Sequence, residues 1–415
     1  MIFVFAGTSL VNVFNLLYQL YIAHSLRPED FAALNTLISI FVLITSPLSN
    51  IQTVVVKRTA ELSAHSKTDE IRGMASGILR IIFVPAVILF LIFFIGAPVF
   101  LEKLKIQSLS AGYWLAVLIF LSLIAPVFLG TLQGLERFGW FMSSALSSGV
   151  SKLLLAIVCI GAGWGVSGAL GAFVAASIVG TCVAFVPVRS FFTYQRPDSF
   201  AQLKKPLYFI IPVGIATFCF NSLVSFDMVL VKYFFSPAES GVYSLSQMLG
   251  KIFLFLPMAV TFVMFPRTAG LKAKKLDTRS TLSLSLLFAV ILCAGAVVFY
   301  NLFPAFVLKI LVGKAPVESI ALGRLFSVSM SFFMFVNILV SYFLSLHDLR
   351  FIGFLIVSAL AQFLAISLFH QSLFVVQAIL CVNSFFLLAG LLILAYVFSS
   401  HQPASAKSDK IHEKY

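Results

Sequence analysis

The stretch RPEDFAALNTLISIFVLITSPLSNIQTVVVKRTAEL (27–62) decides the fold, because its pattern returns 209 residues later as SPAESGVYSLSQMLGKIFLFLPMAVTFVMFPRTAGL (236–271). The two align without a gap. Pro28 lies over Pro237, Arg58-Thr59-Ala60 over Arg267-Thr268-Ala269, and Leu62 over Leu271. Each copy reads as an outer loop, one long apolar helix and a basic inner end. A repeat of this length is an architectural signal, to be sought before any finer feature. Its offset is half of the 415-residue chain, which implies two six-helix halves in parallel orientation, since six crossings restore the starting side. Halves related by an axis along the membrane normal are a transporter design, and the ligand site is then expected between them, near the midplane.

Composition carries the same message. The chain is 60% hydrophobic and 10% charged, with 46 phenylalanines. A soluble chain carries roughly 25% charged residues, so a water-soluble enzyme is excluded. Hydropathy gives twelve candidate spans: 2–23, 31–56, 74–100, 113–134, 141–161, 166–188, 207–231, 241–265, 281–303, 321–345, 350–369 and 373–398. Each approaches the roughly 20 apolar residues that cross a bilayer as a helix. They are not the ten-residue alternating segments of a membrane β-barrel. The expected fold is therefore an all-α polytopic membrane protein. Its expected parts are an N-terminal six-helix half (1–190), a cytoplasmic linker (191–206), a C-terminal six-helix half (207–398) and a disordered cytoplasmic tail (399–415). The first span has no basic leader or clear small-residue cleavage site, so it reads as a retained helix and not a signal peptide. The chain begins almost inside it, so a short native lead is expected to precede it.

The net charge of +13 is unevenly placed. Loops after even-numbered spans, with the tail, hold 18 Lys and Arg; loops after odd-numbered spans hold 6. The positive-inside rule then puts both termini in the cytoplasm. The longest loops, 57–73, 189–206 and 304–320, are too short for a catalytic domain. No Walker A motif, nucleophile elbow, dinucleotide fingerprint or paired metal-ligand spacing is present, so no enzyme activity, metal or cofactor is expected. The five cysteines lie within spans without CxxC spacing and read as small apolar filler.

Charge inside a span costs about 2.5–3.5 kcal/mol on insertion scales, so each case needs a reason. Ser143, Ser144, Ser147, Ser148, Ser151 and Lys152 follow a spacing of four, which lays hydroxyls and one ammonium along one stripe of span 5. The stripe reads as the wall of a hydrated cavity, against the alternative of Ser-mediated packing with a snorkelling lysine. Ser244, Gln247 and Lys251 make a second stripe on span 8. Asp227, on span 7, is expected to pair with Lys251, as a gate, an ion-coupling group or a structural pair. Arg80 and Arg324 lie near span ends, where a snorkelling or rim role competes with a cavity role. Asn12, Asn15, Gln19, Asn35, Asn50 and Gln52 cluster in the first two spans, lining a cavity or bonding between helices. Pro47, Pro85, Pro126, Pro212 and Pro257 are expected to kink their spans. The interior count of Arg80, Lys152 and Lys251 against Asp227 favours an anionic ligand, and phosphate oxygens suit Lys and Arg.

Three stretches carry a resemblance: FLGTLQGLERFGWFMSSALSSGVSKLLLAI (128–157), GWGVSGALGAF (163–173) and SFDMVLVKYFFSPAESGVYSLSQMLGKIFLFLPMAVTFVMFPR (225–267). They resemble the bacterial polysaccharide-biosynthesis membrane proteins, Wzx-like oligosaccharide flippases of the MOP superfamily, whose other branches include MATE drug exporters and lipid II flippases. The likeness spans roughly residues 1–395. It implies a MATE-like fold of two lobes rocking about a central cationic cavity in the bacterial cytoplasmic (inner) membrane. It also implies transfer of polyprenyl-diphosphate-linked oligosaccharide from the cytoplasmic to the outer leaflet, with the polymerase or glycosyltransferases of the same pathway as partners and no nucleic acid. Carried over by position, the family's cationic cavity points to Lys152 and Lys251, with Arg80; from the residues themselves Ser148, Gln247, Asn12 and Asn50 join them as substrate-binding candidates, and Asp227 and Arg324 are the candidates for gating or ion coupling. One departure bears on mechanism: span 1 lacks the carboxylate that many MATE-like exporters use for ion coupling. The rival reading is a cation-coupled (H+ or Na+) multidrug exporter of the MATE type, with Asp227 as its only candidate acid.

Overall fold

The structure is a computed structural model; it describes residues 2–48, 50–192, 204–255, 258–274, 276–313 and 316–397. The expected tail (399–415) and most of the expected linker (191–206) lie outside these residues. The described residues contain helices and turns and no strand. In chain order the helices are α1 (Ile2–Ser25), α2 (Pro28–Thr45), α3 (Asn50–Ala64), α4 (Thr68–Lys103), α5 (Leu109–Gly134), α6 (Phe138–Gly161) and α7 (Gly165–Phe185), which runs into a 3-10 turn (Val186–Phe191). Then come α8 (Lys204–Phe234), α9 (Pro237–Phe255), α10 (Met258–Ala273), α11 (Arg279–Leu302), α12 (Pro304–Val312), α13 (Val317–Ser345), α14 (Phe351–Leu368) and α15 (Leu373–Val397).

Among the described residues, ten helices are long and apolar enough to cross a membrane: α2, α4, α5, α6, α7 with its 3-10 extension, α8, α11, α13, α14 and α15. Their outer faces stay apolar. On α4, Val84, Ile92, Ile95 and Val99 are all more than half exposed. A surface of that kind is stable only against lipid. The protein is a polytopic helical membrane protein.

One predicted span is a pair of helices. Span 31–56 divides where Pro47, lacking an N–H, sits in the turn between α2 and α3. Span 241–265 is covered by α9 and α10, and Pro257 lies outside the described residues. Pro85, Pro126 and Pro212 lie inside continuous helices. Several helices also outrun their apolar cores. The expected loop 57–73 is mostly the end of α3 and the start of α4, and the loop 304–320 holds α12.

Short turns make sequential neighbours antiparallel. Four of them close on a left-handed non-glycine residue: Ser66, Lys105, Glu136 and His347. Each has the doubled Schellman bonds, as when Lys105 N–H meets Glu102 O at 3.0 Å and Ile106 N–H meets Leu101 O at 2.9 Å.

Within the first half of the chain α6 packs on α7 and α1, and α5 on α3, α4 and α7. Within the second half α13 is central, against α9, α15, α10 and α11. Between the two, α2 packs against both α8 and α9. Helices α2 and α9 begin at the aligned prolines Pro28 and Pro237, so the repeated helices face each other. Asn35 Nδ2 donates to Ser244 Oγ at 2.7 Å across this contact, and these two residues are 209 apart, the offset of the repeat itself. Near the start of both helices Gly241 lies so close to Pro28 that a Cβ would meet its carbonyl carbon at 2.9 Å. At the same end Lys105 Nζ donates to Phe235 O at 2.8 Å, tying the α4–α5 turn to the α8–α9 turn.

Candidate functional site

The spacing of α6 builds the first site. Ser144, Ser148 and Lys152 fall one turn apart on one face, opposite Ser177, Gly180 and Thr181 of α7. Gly180 is there because α6 leaves no room: a Cβ would lie 2.9 Å from Ser148 Cβ and 3.2 Å from Ser144 O. Ser144 Oγ uses the approach to donate to Gly180 O at 2.7 Å. Asn15 of α1, Phe41 of α2, Gln52 of α3, Ser122 of α5, Phe141 of α6 and Phe173 of α7 complete a cavity of about 450 Å³. That is the size of a small-molecule pocket. Gln52 Nε2 donates to Gln133 Oε1 at 3.3 Å, which braces the α3 wall against α5.

Lys152 is the one ionisable side chain among the residues lining this cavity. Its Nζ donates to Asn15 Oδ1 and lies 4.7 Å from the ring centre of Tyr18 and 4.9 Å from that of Phe173. Tyr18 is fixed in turn, its hydroxyl donating to Ala169 O at 3.0 Å. Two aromatic faces and an amide oxygen thus hold the ammonium without cancelling its charge. The site can offer an ammonium, several hydroxyls and aromatic faces to an anionic, hydroxyl-bearing ligand.

A second polar cluster lies in the other half of the chain. Asp227 of α8 is fully buried. It accepts from Tyr243 Oη at 2.7 Å and from Gln247 Nε2 at 2.9 and 3.0 Å. Tyr243, Gln247 and Lys251 are successive turns of one α9 stripe. No ion pair between Lys251 and Asp227 is formed among the described residues. The expected direct pair is replaced by hydrogen bonds, because Asp227 is level with Tyr243 and Gln247 while Lys251 lies one turn further on.

The remaining candidates scatter. Ser148 lines the cavity with Lys152. Asn12 is exposed on α1, and Arg80 and Arg324 are exposed on α4 and α13. Asn50 Nδ2 reaches Pro47 O at 3.3 Å and Thr217 Oγ1 at 3.5 Å, so it stitches the α2–α3 break to α8. Every lining residue of the cavity falls between Val11 and Thr181, so this cavity belongs to the first half of the chain and not to the seam between halves. At the seam lies a different space of about 380 Å³, between α2, α8 and α14, lined by Leu43, Ile44, Phe218, Phe226 and Phe363 among others, with Ser222 its one polar residue.

Sequence reasoning missed several polar residues. Tyr243 is the partner of Asp227, and its spacing of four from Gln247 and of eight from Lys251 was the available signal. Gln362, Asn383 and Ser358 form a network that reaches Leu223 O of α8 at 2.9 Å. Gln377 donates to Ser329 at 2.7 Å. Isolated amides in apolar helices gave no pattern to read. Among the described residues no group of three or more His, Cys, Asp or Glu is placed to hold a metal.

This arrangement, long lipid-facing helices around an internal cavity, defines a polytopic membrane protein. Its fold is that of the MOP superfamily. The chain superposes with a TM-score of 0.76 on an inward-facing multidrug resistance MATE family transporter, at 14% identity, covering 95% of this chain and 96% of that one. It superposes at 0.73 on the lipid II flippase MurJ in an inward closed conformation, at 11% identity, covering 95% and 87%. A MOP superfamily transporter from Pyrococcus furiosus, described as having a binding pocket of reverse polarity that suggests a different function, matches at 0.65 and 14% identity, covering 95% and 93%. Among curated proteins no sequence matches. Residues 1–272 match the polysaccharide biosynthesis protein family, and the chain belongs to that family.

Proposed function

We propose that this protein is a flippase carrying a polyprenyl-diphosphate-linked oligosaccharide from the cytoplasmic to the outer leaflet for surface polysaccharide synthesis. The observation that carries the reading is the Lys152 cavity: a pocket whose largely apolar walls carry Ser, Thr, Asn and Gln side chains, with one ammonium and no carboxylate among its lining residues, in a chain of the polysaccharide biosynthesis family. Diphosphate oxygens meet Lys152, sugar hydroxyls meet the Ser and Gln side chains, and sugar faces meet Phe41, Phe141 and Phe173. The isoprenoid tail stays in the lipid phase, and the apolar space at the seam suits it.

The transport cycle is alternating access by two six-helix lobes, residues 1–190 and 207–398, in a twelve-span arrangement where α1 and the α9–α10 pair also cross. The repeat, the facing of α2 and α9, and the Asn35–Ser244 bond at the repeat offset support a pseudo-two-fold along the membrane normal. Both termini are cytoplasmic, in the inner membrane of a bacterium. Lys251, Gln247 and Asp227 form the polar core of the second lobe and set its packing as the lobes rock. An anion moving outward gains about 2.3 kcal/mol per charge per 100 mV of inside-negative potential, so a coupling ion is not required. The rival exporter of cations is less well supported, because the cavity offers a cation an ammonium.

The test is reconstitution of the full chain in liposomes with a labelled polyprenyl-diphosphate oligosaccharide, leaflet transfer being read by accessibility to a membrane-impermeant quencher. Transfer above protein-free liposomes, reduced in Lys152→Ala, supports the flippase. Absence of transfer, with proton-driven efflux of an organic cation that requires Asp227, replaces it with the exporter.

A further inference from the structure

Asn15 is the only side chain that hydrogen-bonds Lys152 among the described residues, and it comes from a different helix. Lysine is a flexible stem with a strongly hydrated head. Left alone in this cavity it would fold against whichever carbonyl or hydroxyl lay near. Here its head is fixed at three points. The Asn15 amide oxygen accepts from it, the Tyr18 ring lies at 4.7 Å and the Phe173 ring at 4.9 Å. Tyr18 is anchored to Ala169 O and stands edge-on to Phe173, which is edge-on to Phe41. Of the three groups around the ammonium, Asn15 and Phe173 line the cavity, and Asn15 is the one that can exchange a hydrogen bond with a ligand.

An amide oxygen differs from a carboxylate at this place in one respect. It satisfies a donor of the ammonium while leaving the full positive charge for a ligand. With an acidic residue the cavity would be neutral, and its attraction for an anion would vanish.

We infer that Asn15 is a positioning and specificity-determining residue: it aims the Lys152 ammonium into the cavity and, by being neutral, makes the cavity select phosphate-bearing headgroups. This deepens the flippase reading and rests on it for the nature of the substrate, but the charge logic holds for any anionic amphiphile. On binding, a phosphate oxygen takes the place of the Asn15 oxygen on Nζ, and the freed amide can turn its N–H toward the same phosphate.

The experiment measures binding to the purified full-length protein in nanodiscs, with two probes: a fluorescent isoprenyl diphosphate and dodecyl phosphate. The variants are Asn15→Asp, Asn15→Gln, Asn15→Ala and Lys152→Met. Asn15→Asp, an isosteric change, is expected to weaken isoprenyl diphosphate binding by about 10–100-fold, as much as Lys152→Met, which is the range for losing a hydrogen bond to a charged group. Both are expected to flatten the salt dependence of binding. Asn15→Ala keeps the charge and the salt dependence but loses the aim, with about 3–10-fold weaker binding, and Asn15→Gln restores most of it. A purely structural role for Asn15 would leave Asn15→Ala and Asn15→Gln binding as wild type does wherever they fold. If the Asp variant does not fold, the Ala–Gln comparison still decides. Wild-type affinity in Asn15→Asp or Asn15→Ala overturns the inference, as does equal loss in Ala and Asp with unchanged salt dependence. Should wild type bind dodecyl phosphate but not isoprenyl diphosphate, with loss in Asn15→Asp, the role of Asn15 stands and the flippase reading falls.

Discussion

Replacing Gly241 by alanine tests the contact between α2 and α9, which is where the two halves of the chain meet. A Cβ at 241 would stand 2.9 Å from both the carbonyl carbon and Cβ of Pro28, and 3.1 Å from its oxygen. Ordinary van der Waals contact begins at 3.4 Å, so the helices must separate by about half an ångström. The obstacle is backbone and a proline ring, which cannot swing aside. Overpacking of this kind costs about 1–3 kcal/mol. Against it, removing a glycine from a helix returns about 0.5–1 kcal/mol. The expected net is a destabilisation of up to about 2.5 kcal/mol. Gly77 of α4 supplies the internal control, because nothing lies within 4 Å of its would-be Cβ. Gly77→Ala should carry the helix gain alone and stabilise by about 0.5–1 kcal/mol. The assay is unfolding of both variants and wild type in one detergent, with Gly241→Val as a third, larger step in the same direction. If Gly241→Ala stabilises as much as Gly77→Ala does, the close facing of α2 and α9 is wrong.

Three further outcomes follow from the polar contacts. Asp227→Ala orphans the Tyr243 hydroxyl and the Gln247 amide in a buried site, at about 1–3 kcal/mol for each group; Asp227→Asn keeps one acceptor oxygen and should lose less, as read by thermal unfolding. Lys105→Ala removes the bond to Phe235 O and should raise the accessibility of a cysteine placed at Ser236 to a water-soluble maleimide, while Lys103→Ala should not. Asp348, in the α13–α14 turn, is held below the ordinary carboxyl value of 3.8 by the Arg350 guanidinium, which bonds it at 2.6–3.1 Å. A lowered folded pKa gives stability that is present above that value and lost as pH falls through the folded one. Arg350→Ala should therefore lower stability near neutral pH by less than about 1 kcal/mol, Arg350 being more than half exposed, and the difference should close as pH falls through the lowered folded pKa of Asp348.

The helices were legible because a bilayer-length apolar run is a property of composition. Their ends were less so. Helix α3 continues through Lys57 and Arg58 to Ala64, beyond the apolar run, since a charged amphipathic turn remains a good helix in water. Pro47 was legible as a kink, and the structure makes it a break. The repeat gave the facing helices in principle, yet the Asn35–Ser244 bond shows something the alignment alone does not contain, that equivalent residues touch. The Ser–Lys stripe on α6 was legible because spacing defines a helix face. Spacing does not define depth or neighbour. It therefore placed Lys251 opposite Asp227, where Tyr243 and Gln247 stand, and it left the Lys152 cavity at the seam when its walls all come from the first half. The exposure of Asn12, Arg80 and Arg324 has the same origin: a polar residue within an apolar span marks a position along the helix and says nothing of the direction it faces.

On the flippase reading, one ammonium in the first-half cavity carries the affinity for an anionic lipid-linked saccharide. The most direct measurement is the rate of leaflet transfer of labelled polyprenyl-diphosphate oligosaccharide by wild type, Lys152→Met and Lys152→Arg in the same liposomes, with unfolding curves for each. Lys152→Met is expected to lose about tenfold or more, the equivalent of about 1.5 kcal/mol or more, with partial recovery in Lys152→Arg and native-like unfolding in both. Transfer by Lys152→Met at the wild-type rate would contradict it.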